Sequence, residues 1–430
     1  MSVVEVKKRL EQVIGQAKIR IDLDSAQNPE LRRAIHIVEV FLQESGRICY
    51  GGQAINAHLP QADQFYDSEK TLPDYDFFSP EAEKDTDKLI QMLKDAGYTE
   101  ISKRIGIHDG TIKIYVNYSA IADISQMIPE FYDSIYRKSS IINGIRYADP
   151  LFLRMLMYLE LSRPRGQVER WGKVYDRLKI LDRASPMLRC KNKYPQITET
   201  KESKQARPTI VRYMIQNNRS FAGGDVYSIY KLSGPGKSSQ SRTNFLLHES
   251  PPVVFFSPDA NGDAIKLSEM TSSVKKEILG YQNMLPAMIL LIKNDSIIGI
   301  IVQEEACHSF VKLPLTKGRF LKVVSIDTLI TFLIGLYYRE DSLLMTQDSL
   351  LCWIRQYIDL SDRYKSKPTK LFPAFPIDCS GYQTSFASLL RAKAARIQAA
   401  RQKLSSGRRI TTNNLRRFVN YGSRRTRRKI

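Results

Sequence analysis

Between residues 28 and 44, Leu31, Ile35, Val38 and Leu42 recur at three- and four-residue spacing, which predicts a helix with Asn28 as N-cap and Pro29 in its first turn. "RICY" (47–50) then reads as a short strand ending in the Gly51–Gly52 turn, and "DYDFFS" (74–79) as a second strand. A helix over 85–96 closed by Gly97 and a hairpin over "GTIKIYVNYSAIADISQM" (110–127) complete an alternating α and β unit of about 100 residues. From Asp149 the pattern turns helical. "DPLFLRMLMYLELS" (149–162) opens on an N-cap Asp and a first-turn Pro. "QVERWGKVYDRLKILDRA" (167–184) puts Val168, Trp171, Tyr175, Leu178 and Asp182 on one stripe, and Arg170, Lys173 and Arg177 on another. Residues 191–208 lack periodicity and read as a linker.

The pattern then repeats. "SFAGGDVYSIY" (220–230) echoes "CYGGQAINAHL" (49–59), and "SPPVVFFSP" (250–258) matches "LPDYDFFSP" (72–80) at five of nine places. Phe255 follows Phe77 by 178 residues and Asp327 follows Asp149 by 178, whereas the glycine pairs are 172 apart. An internal duplication accounts for this spacing, with six extra residues after the second glycine pair. The 178-residue offset carries Asp74 to Pro252, Asp76 to Val254 and Asp123 to Ile301, so the second copy loses the carboxylates.

These readings divide the chain into an N-terminal helical region (1–45), a catalytic unit (46–148), a helical segment (149–190), a linker (191–208), an inactive second unit (209–365), a proline-containing linker (366–390) and a basic tail (391–430). The expected fold class is α+β. Of the net charge of +20, residues 391–430 carry fourteen Lys or Arg and no Asp or Glu, leaving about +6 for the rest. A polyanion partner follows from that distribution, because each neutralised phosphate releases counterions. Five scattered cysteines without a CxxC pair suggest a reducing compartment. Residues 1–20 lack the features of a secretory signal, and the apolar stretch 321–338 contains Lys322 and Asp327 and is short for a membrane span. No membrane partner is expected.

On a strand, residues i and i+2 share a face, so Asp74 and Asp76 are expected to point together. At about 4 Å and an effective dielectric of about 20, two carboxylates repel by roughly 4 kcal/mol, which disfavours the pairing unless cations or protons intervene. Mg²⁺ meets that need with oxygen ligation. Asp123, set among Ile121, Ala122 and Ile124, is the candidate third carboxylate. Two metals so held could activate a hydroxyl and stabilise a leaving pyrophosphate. Gly51 and Gly52 permit close backbone approach to a triphosphate, with Asn56 one turn further along. Lys173 and Arg177 could grip it, although a solvated helix face reads equally well. Asp74 and Asp76 also admit a plain reading as part of a solvated edge strand.

Gly51, Gly52, Asp74, Asp76 and Asp123 resemble the nucleotidyltransferase signature shared by DNA polymerase beta and poly(A) polymerases. More narrowly, "YGGQAIN", "LPDYDFFSP" and "LFLRMLMYLELSRPRGQVERWGKVYDRLKIL" resemble the poly(A) polymerase catalytic subunits of large nucleocytoplasmic DNA viruses. The resemblance covers residues 30–185 well and the second copy more loosely. It implies a DNA polymerase beta-like fold, duplicated and carrying helical extensions, that extends an RNA 3′ end with AMP from ATP. Asp74 and Asp76 would bind both Mg²⁺ or Mn²⁺ ions, and Asp123 would help hold the one that activates the primer hydroxyl. The twenty-one residues between Gly52 and Asp74 exceed the usual gap, a feature the viral relatives share. The resemblance also implies a mRNA partner, a homodimer or a separate processivity subunit, and a place in the viral factory of the host cytoplasm and in the virion. The rival readings are another terminal nucleotidyltransferase (uridylyl, CCA-adding or oligoadenylate-forming) and a non-catalytic RNA-binding scaffold.

Overall fold

The computed structural model describes residues 3–405 apart from 68, 188–189, 191–199, 224, 233–251, 282–283, 316–317 and 341–344. Helix α1 (Val3–Gln27) leads into α2 (Pro29–Ser45) through Asn28, whose Oδ1 accepts from the amides of Glu30 and Leu31 at 3.0 and 3.1 Å. Gly46, in the left-handed conformation, ends α2 and delivers the chain to the first sheet.

That sheet contains β1 (Ile48–Tyr50), β2 (Tyr75–Ser79), β3 (Ile101–Ile105), β4 (Thr111–Val116), β5 (Ser119–Gln126), β6 (Ser140–Ile142) and β7 (Ile145–Tyr147), in the order β3-β4-β5-β2-β1-β7-β6. Helices α3 (Gly51–Ala57), α4 (Ala82–Asp95) and α5 (Pro129–Lys138) connect its strands, and α6 (Pro150–Leu161) and α7 (Trp171–Ala184) follow. Phe77 on β2 and Phe41 on α2 are fully buried and lie 5.7 Å apart between ring centres. Burying a phenylalanine contributes about 1.5–3 kcal/mol, so the aromatic half of "DYDFFS" pins β2 while its acidic half stays at the strand entry.

A second sheet follows α8 (Lys201–Gln216) and interleaves with α9 (Asp225–Leu232), α10 (Ala260–Thr271), α11 (Ile326–Arg339) and α12 (Gln347–Ser366). Its strands are β8 (Ser220–Phe221), β9 (Val253–Ser257), β10 (Val274–Ile278), β11 (Met288–Lys293), β12 (Ser296–Gln303), β13 (His308–Pro314), β14 (Phe320–Val324) and β15 (Cys379–Ser380). Their order is β10-β11-β12-β9-β8-β14-β13-β15. Without β15, this order matches the first sheet term by term, and β9–β12 and β8–β14 are parallel as β2–β5 and β1–β7 are.

Local chemistry repeats as well. Arg47 and the Ser79 hydroxyl both donate to Asp85, as Arg219 and the Ser257 hydroxyl donate to Asp263. Gln126 Oε1 accepts from the amide of Ala82 at 2.8 Å, and Gln303 Oε1 from that of Ala260 at 3.1 Å. Two points of the sequence alignment change. Asp76 pairs with Asp123 across β2–β5 and Val254 with Ile300 across β9–β12, so Ile300, not Ile301, stands in the place of Asp123. Asp149 caps α6 but Ser325 caps α11, so Asp149 corresponds to Ser325, and Asp327 lies in the first turn of its helix. Small length differences between the two units break the constant offset.

The expected linker over 191–208 is helical from Lys201. Thr200 and Ser203 form a capping box, and Ile210, Val211 and Met214 are buried against the second sheet. Residues 191–199 lie outside the described ones. Within the expected linker 366–390, Phe372 is buried, Phe375 packs on Trp171 and Tyr175, and Cys379–Ser380 adds a strand, so part of the segment packs on the core while Ile377 and Tyr382 stay exposed. The basic tail is helical as far as Ser405 in α13 (Phe386–Ser405), and its remainder lies outside the described residues. Cys190 and Cys352, and Cys307 and Cys379, are brought into disulfide contact across 162 and 72 residues of sequence, separations that hide any pairing from spacing alone. Cys49 is buried and free. Among the described residues no helix is long and apolar enough to cross a membrane.

The two units share one core. Helix α6 packs on α11, and Tyr338 of α11 places its ring against Phe152 of α6 at 5.2 Å and donates its hydroxyl proton to Asp149.

Candidate active site

Asp76 sits on β2 beside Asp123 on β5 in parallel register, and Asp74 lies just ahead of β2. The strand-face expectation therefore holds for Asp76 and changes for Asp74, which reaches the cluster from the entering loop. Burial first, then the charges of Asp74 and Asp123, push the Asp76 carboxyl up to about 7. Asp74 is raised by burial and by Asp123. Asp74 and Asp123 both act on Asp76, and Asp123 acts on Asp74, so the carboxylates lie within electrostatic reach of one another.

Asp123 is 9% exposed; its Oδ1 is buried without a hydrogen-bond partner, while its Oδ2 accepts from the Lys113 ammonium of β4. An orphaned carboxylate oxygen beside two acids raised by burial and then by neighbouring like charge fits the donor set of a hard divalent cation. Asp74, Asp76 and Asp123 are the residues that would hold it. Among the described residues no three His, Cys, Asp or Glu side chains stand close enough together to hold a metal ion, and Lys113 pairs with Asp123.

Gly51 adopts φ +74°, and a Cβ there would meet Asp76 Oδ2 at 2.5 Å. The glycine is thus required by both its backbone and its neighbour. A Cβ on Gly52 would meet Tyr66 Oη at 2.7 Å and Arg177 Nη1 at 3.0 Å, so the turn packs directly against both groups. Arg177 Nη2 donates to Tyr66 Oη at 2.7 Å, and the guanidinium lies 4.4 Å from the Phe65 ring centre.

Asn56 takes a different part from the one expected of it. Its Oδ1 accepts from the amides of Phe65 and Tyr66 at 2.9 and 3.1 Å, and the side chain is buried. The amide is spent on anchoring the long segment between Gly52 and Asp74, which in turn presents Tyr66 to Arg177.

Lys173 is exposed on the same face of α7 as Arg177, and the charge of Arg177 first, then burial and Arg170, lowers its pKa. Arg170 also reaches the charge of Asp76, while its Nε lies 3.4 Å from Glu160. His108, in the β3–β4 turn, is lowered by burial and then by Arg163, Arg396, Arg170 and Lys113, of which Arg170 and Lys113 also act on Asp76. Trp171 and Tyr175 pack on Phe375 as core. Sequence reasoning missed Tyr66 and Lys113: the first sits in an aperiodic loop, and the second depends on a strand register that no residue pattern announces.

In the second unit the equivalent positions are apolar. Pro252, Val254 and Gly223 line a pocket with Trp353, Tyr357 and Phe332.

Residues 36–167 match the family model for the poly(A) polymerase catalytic subunit. A protein of Acanthamoeba polyphaga mimivirus, described as a candidate poly(A) polymerase catalytic subunit, is 29% identical over 179 residues, covering 40% of this chain and 30% of the relative. A protein of African swine fever virus with the same description is 27% identical over 165 residues, covering 37% of this chain and 34% of the relative. The chain thus aligns with about a third of these relatives' own length. The Megavirus polyadenylate synthase crystal structure superposes with a TM-score of 0.74 at 19% identity, covering 96% of this chain and 88% of that one, which establishes the shared fold. Residues 36–167 are thus similar to the poly(A) polymerase catalytic subunits of large DNA viruses, and the chain as a whole shares the fold of the Megavirus polyadenylate synthase.

Proposed function

We propose that the chain is a template-independent poly(A) polymerase, adding AMP from ATP to the 3′ end of mRNA with release of pyrophosphate. The observation that carries this reading is the convergence of Asp74, Asp76 and Asp123 beside Gly51 in the one unit that matches the family. Bound Mg²⁺ or Mn²⁺ would supply Lewis-acid activation of the primer hydroxyl and charge neutralisation at the leaving pyrophosphate. The chain's own residues do the rest. Asp74, Asp76 and Asp123 fix the cation positions, Arg177 and Lys173 hold the triphosphate, and Tyr66 and Asn56 keep Arg177 in place. The second unit, without carboxylates at Pro252, Val254 and Ile300, serves as a structural and RNA-binding half. The basic tail binds the RNA backbone without reading bases. A homodimer or a viral processivity subunit completes the assembly in the host cytoplasm.

The test is a labelled oligoadenylate primer offered each ribonucleotide with Mg²⁺ or Mn²⁺. Long ladders with ATP alone support the reading; equal use of UTP supports a different terminal transferase. No extension, with RNA binding intact, supports the scaffold.

A further inference from the structure

We propose that Lys113 is an internal counter-ion that holds Asp123 in the metal-free protein and is displaced when a divalent cation joins the three carboxylates. This makes Lys113 a positioning residue, and the inference rests on the two-metal reading above.

The geometry is specific. Lys113 stands directly across β4–β5 from Asp123, and its ammonium takes Oδ2 while Oδ1 is left buried and unpartnered. The pairing depends on a bulge. From the Asn117–Tyr118 turn outward, Val116 pairs with Ser119 and Tyr115 with Ala120, but the register then shifts by one between Ile114 and Tyr115. Without that shift Lys113 would face Ala122. The charge of Lys113 also reaches Asp74 and Asp76, so one cation serves all three acids.

The second unit supplies an internal comparison. It keeps the same bulge, between Leu291 and Ile292, and the same turn with positive φ at Asn294 and Asp295. Where Lys113 faces Asp123, it places Leu290 opposite Ile300. The lysine and its acid are therefore absent together, whereas the scaffold that aligns them remains. A lysine needed only by the hairpin would have no reason to vanish with the carboxylate.

Displacement is a competition between two cations for one carboxylate, so removing one strengthens the other. The test is Mn²⁺ titration of the full chain without nucleotide or primer, read by the electron paramagnetic resonance signal of free Mn²⁺. Lys113→Met should bind Mn²⁺ about 10-fold tighter or more, the equivalent of one charge-assisted hydrogen bond. Lys113→Arg, which keeps the charge, should bind no tighter than the wild type. Lys103→Met removes a cation that pairs instead with Glu83 and Asp87, and it should leave the affinity unchanged. Equal or weaker binding by Lys113→Met, or equal tightening by Lys103→Met, overturns the proposal; Lys113→Gln replaces the Met variant if that one does not fold. If Asp74→Asn with Asp76→Asn binds Mn²⁺ as the wild type does, the metal site itself is misplaced, whatever Lys113 does.

Discussion

Arg177 and Tyr66 meet 111 residues apart in sequence, with the guanidinium donating to the phenolic oxygen at 2.7 Å directly over the Gly52 backbone. Tyr66→Phe keeps the ring beneath Arg177 but removes the acceptor. A hydrogen bond to a charged group is worth about 1.5–3 kcal/mol, so the KM for ATP should rise about tenfold while kcat stays within about twofold. Steady-state kinetics with saturating primer measures this. A fall in kcat with KM unchanged would show that Tyr66 acts on the chemical step instead.

Asp76→Asn should lower primer extension by at least about a thousandfold while leaving the fold intact. Because burial and two neighbouring acids disfavour the Asp76 charge, the metal-free variant should melt no lower than the wild type at pH 8. The reverse substitution in the second unit, Val254→Asp, places a charge at a site 5% exposed among apolar side chains. It should destabilise by about 3 kcal/mol or more in urea unfolding.

How far the sequence revealed this arrangement differs from element to element. Asn28, Asp149 and the alternation of "TIKIYV" were legible because caps and period-2 patterns are local. The equivalence of the two units was legible from "FFSP", since both copies bury the same phenylalanines. The position of Asp123 relative to the second copy was not, because one residue of loop length moves its counterpart to Ile300. Helix α8 was hidden because Pro208 and a run of polar residues mask a buried face that exists only against the second sheet. Asn56 was identified at the right place but with a different task, since its partners Phe65 and Tyr66 lie in a loop with no periodicity.

His308 gives a pH prediction. Burial first, then the charge of Arg163, lowers its pKa to about 3, and its Nε2 has no hydrogen-bond partner. The unfolded chain binds this proton near pH 6.5, so the folded protein gains stability from a neutral His308 above that value and loses it as pH falls from about 6.5 towards 3. His308→Gln should flatten the unfolding free energy across that window. An unchanged slope would remove His308 from the account of acid sensitivity.

Residues 406–430 contain nine Lys or Arg and no acid. Their deletion should weaken RNA binding at low salt and reduce the slope of log affinity against log salt, because fewer counterions are released. Fluorescence anisotropy with a single-stranded oligoadenylate measures both. The deletion leaves Arg396, whose guanidinium donates to Ile107 O at 3.0 Å, so the last described helix should stay docked on the β3–β4 turn.

The Tyr338–Asp149 contact bears on how such a protein can be divided. Asp149 caps the helix that closes the carboxylate-bearing unit, yet the proton that satisfies its second oxygen comes from the other unit, together with the ring that covers Phe131 and Phe152. A fragment ending near residue 190 would therefore carry every proposed catalytic group and still expose an aromatic face with a half-satisfied buried acid. The unit without carboxylates is in this sense a permanent, covalently attached chaperone surface, and the chemistry of one half is inherited only with the packing of the other.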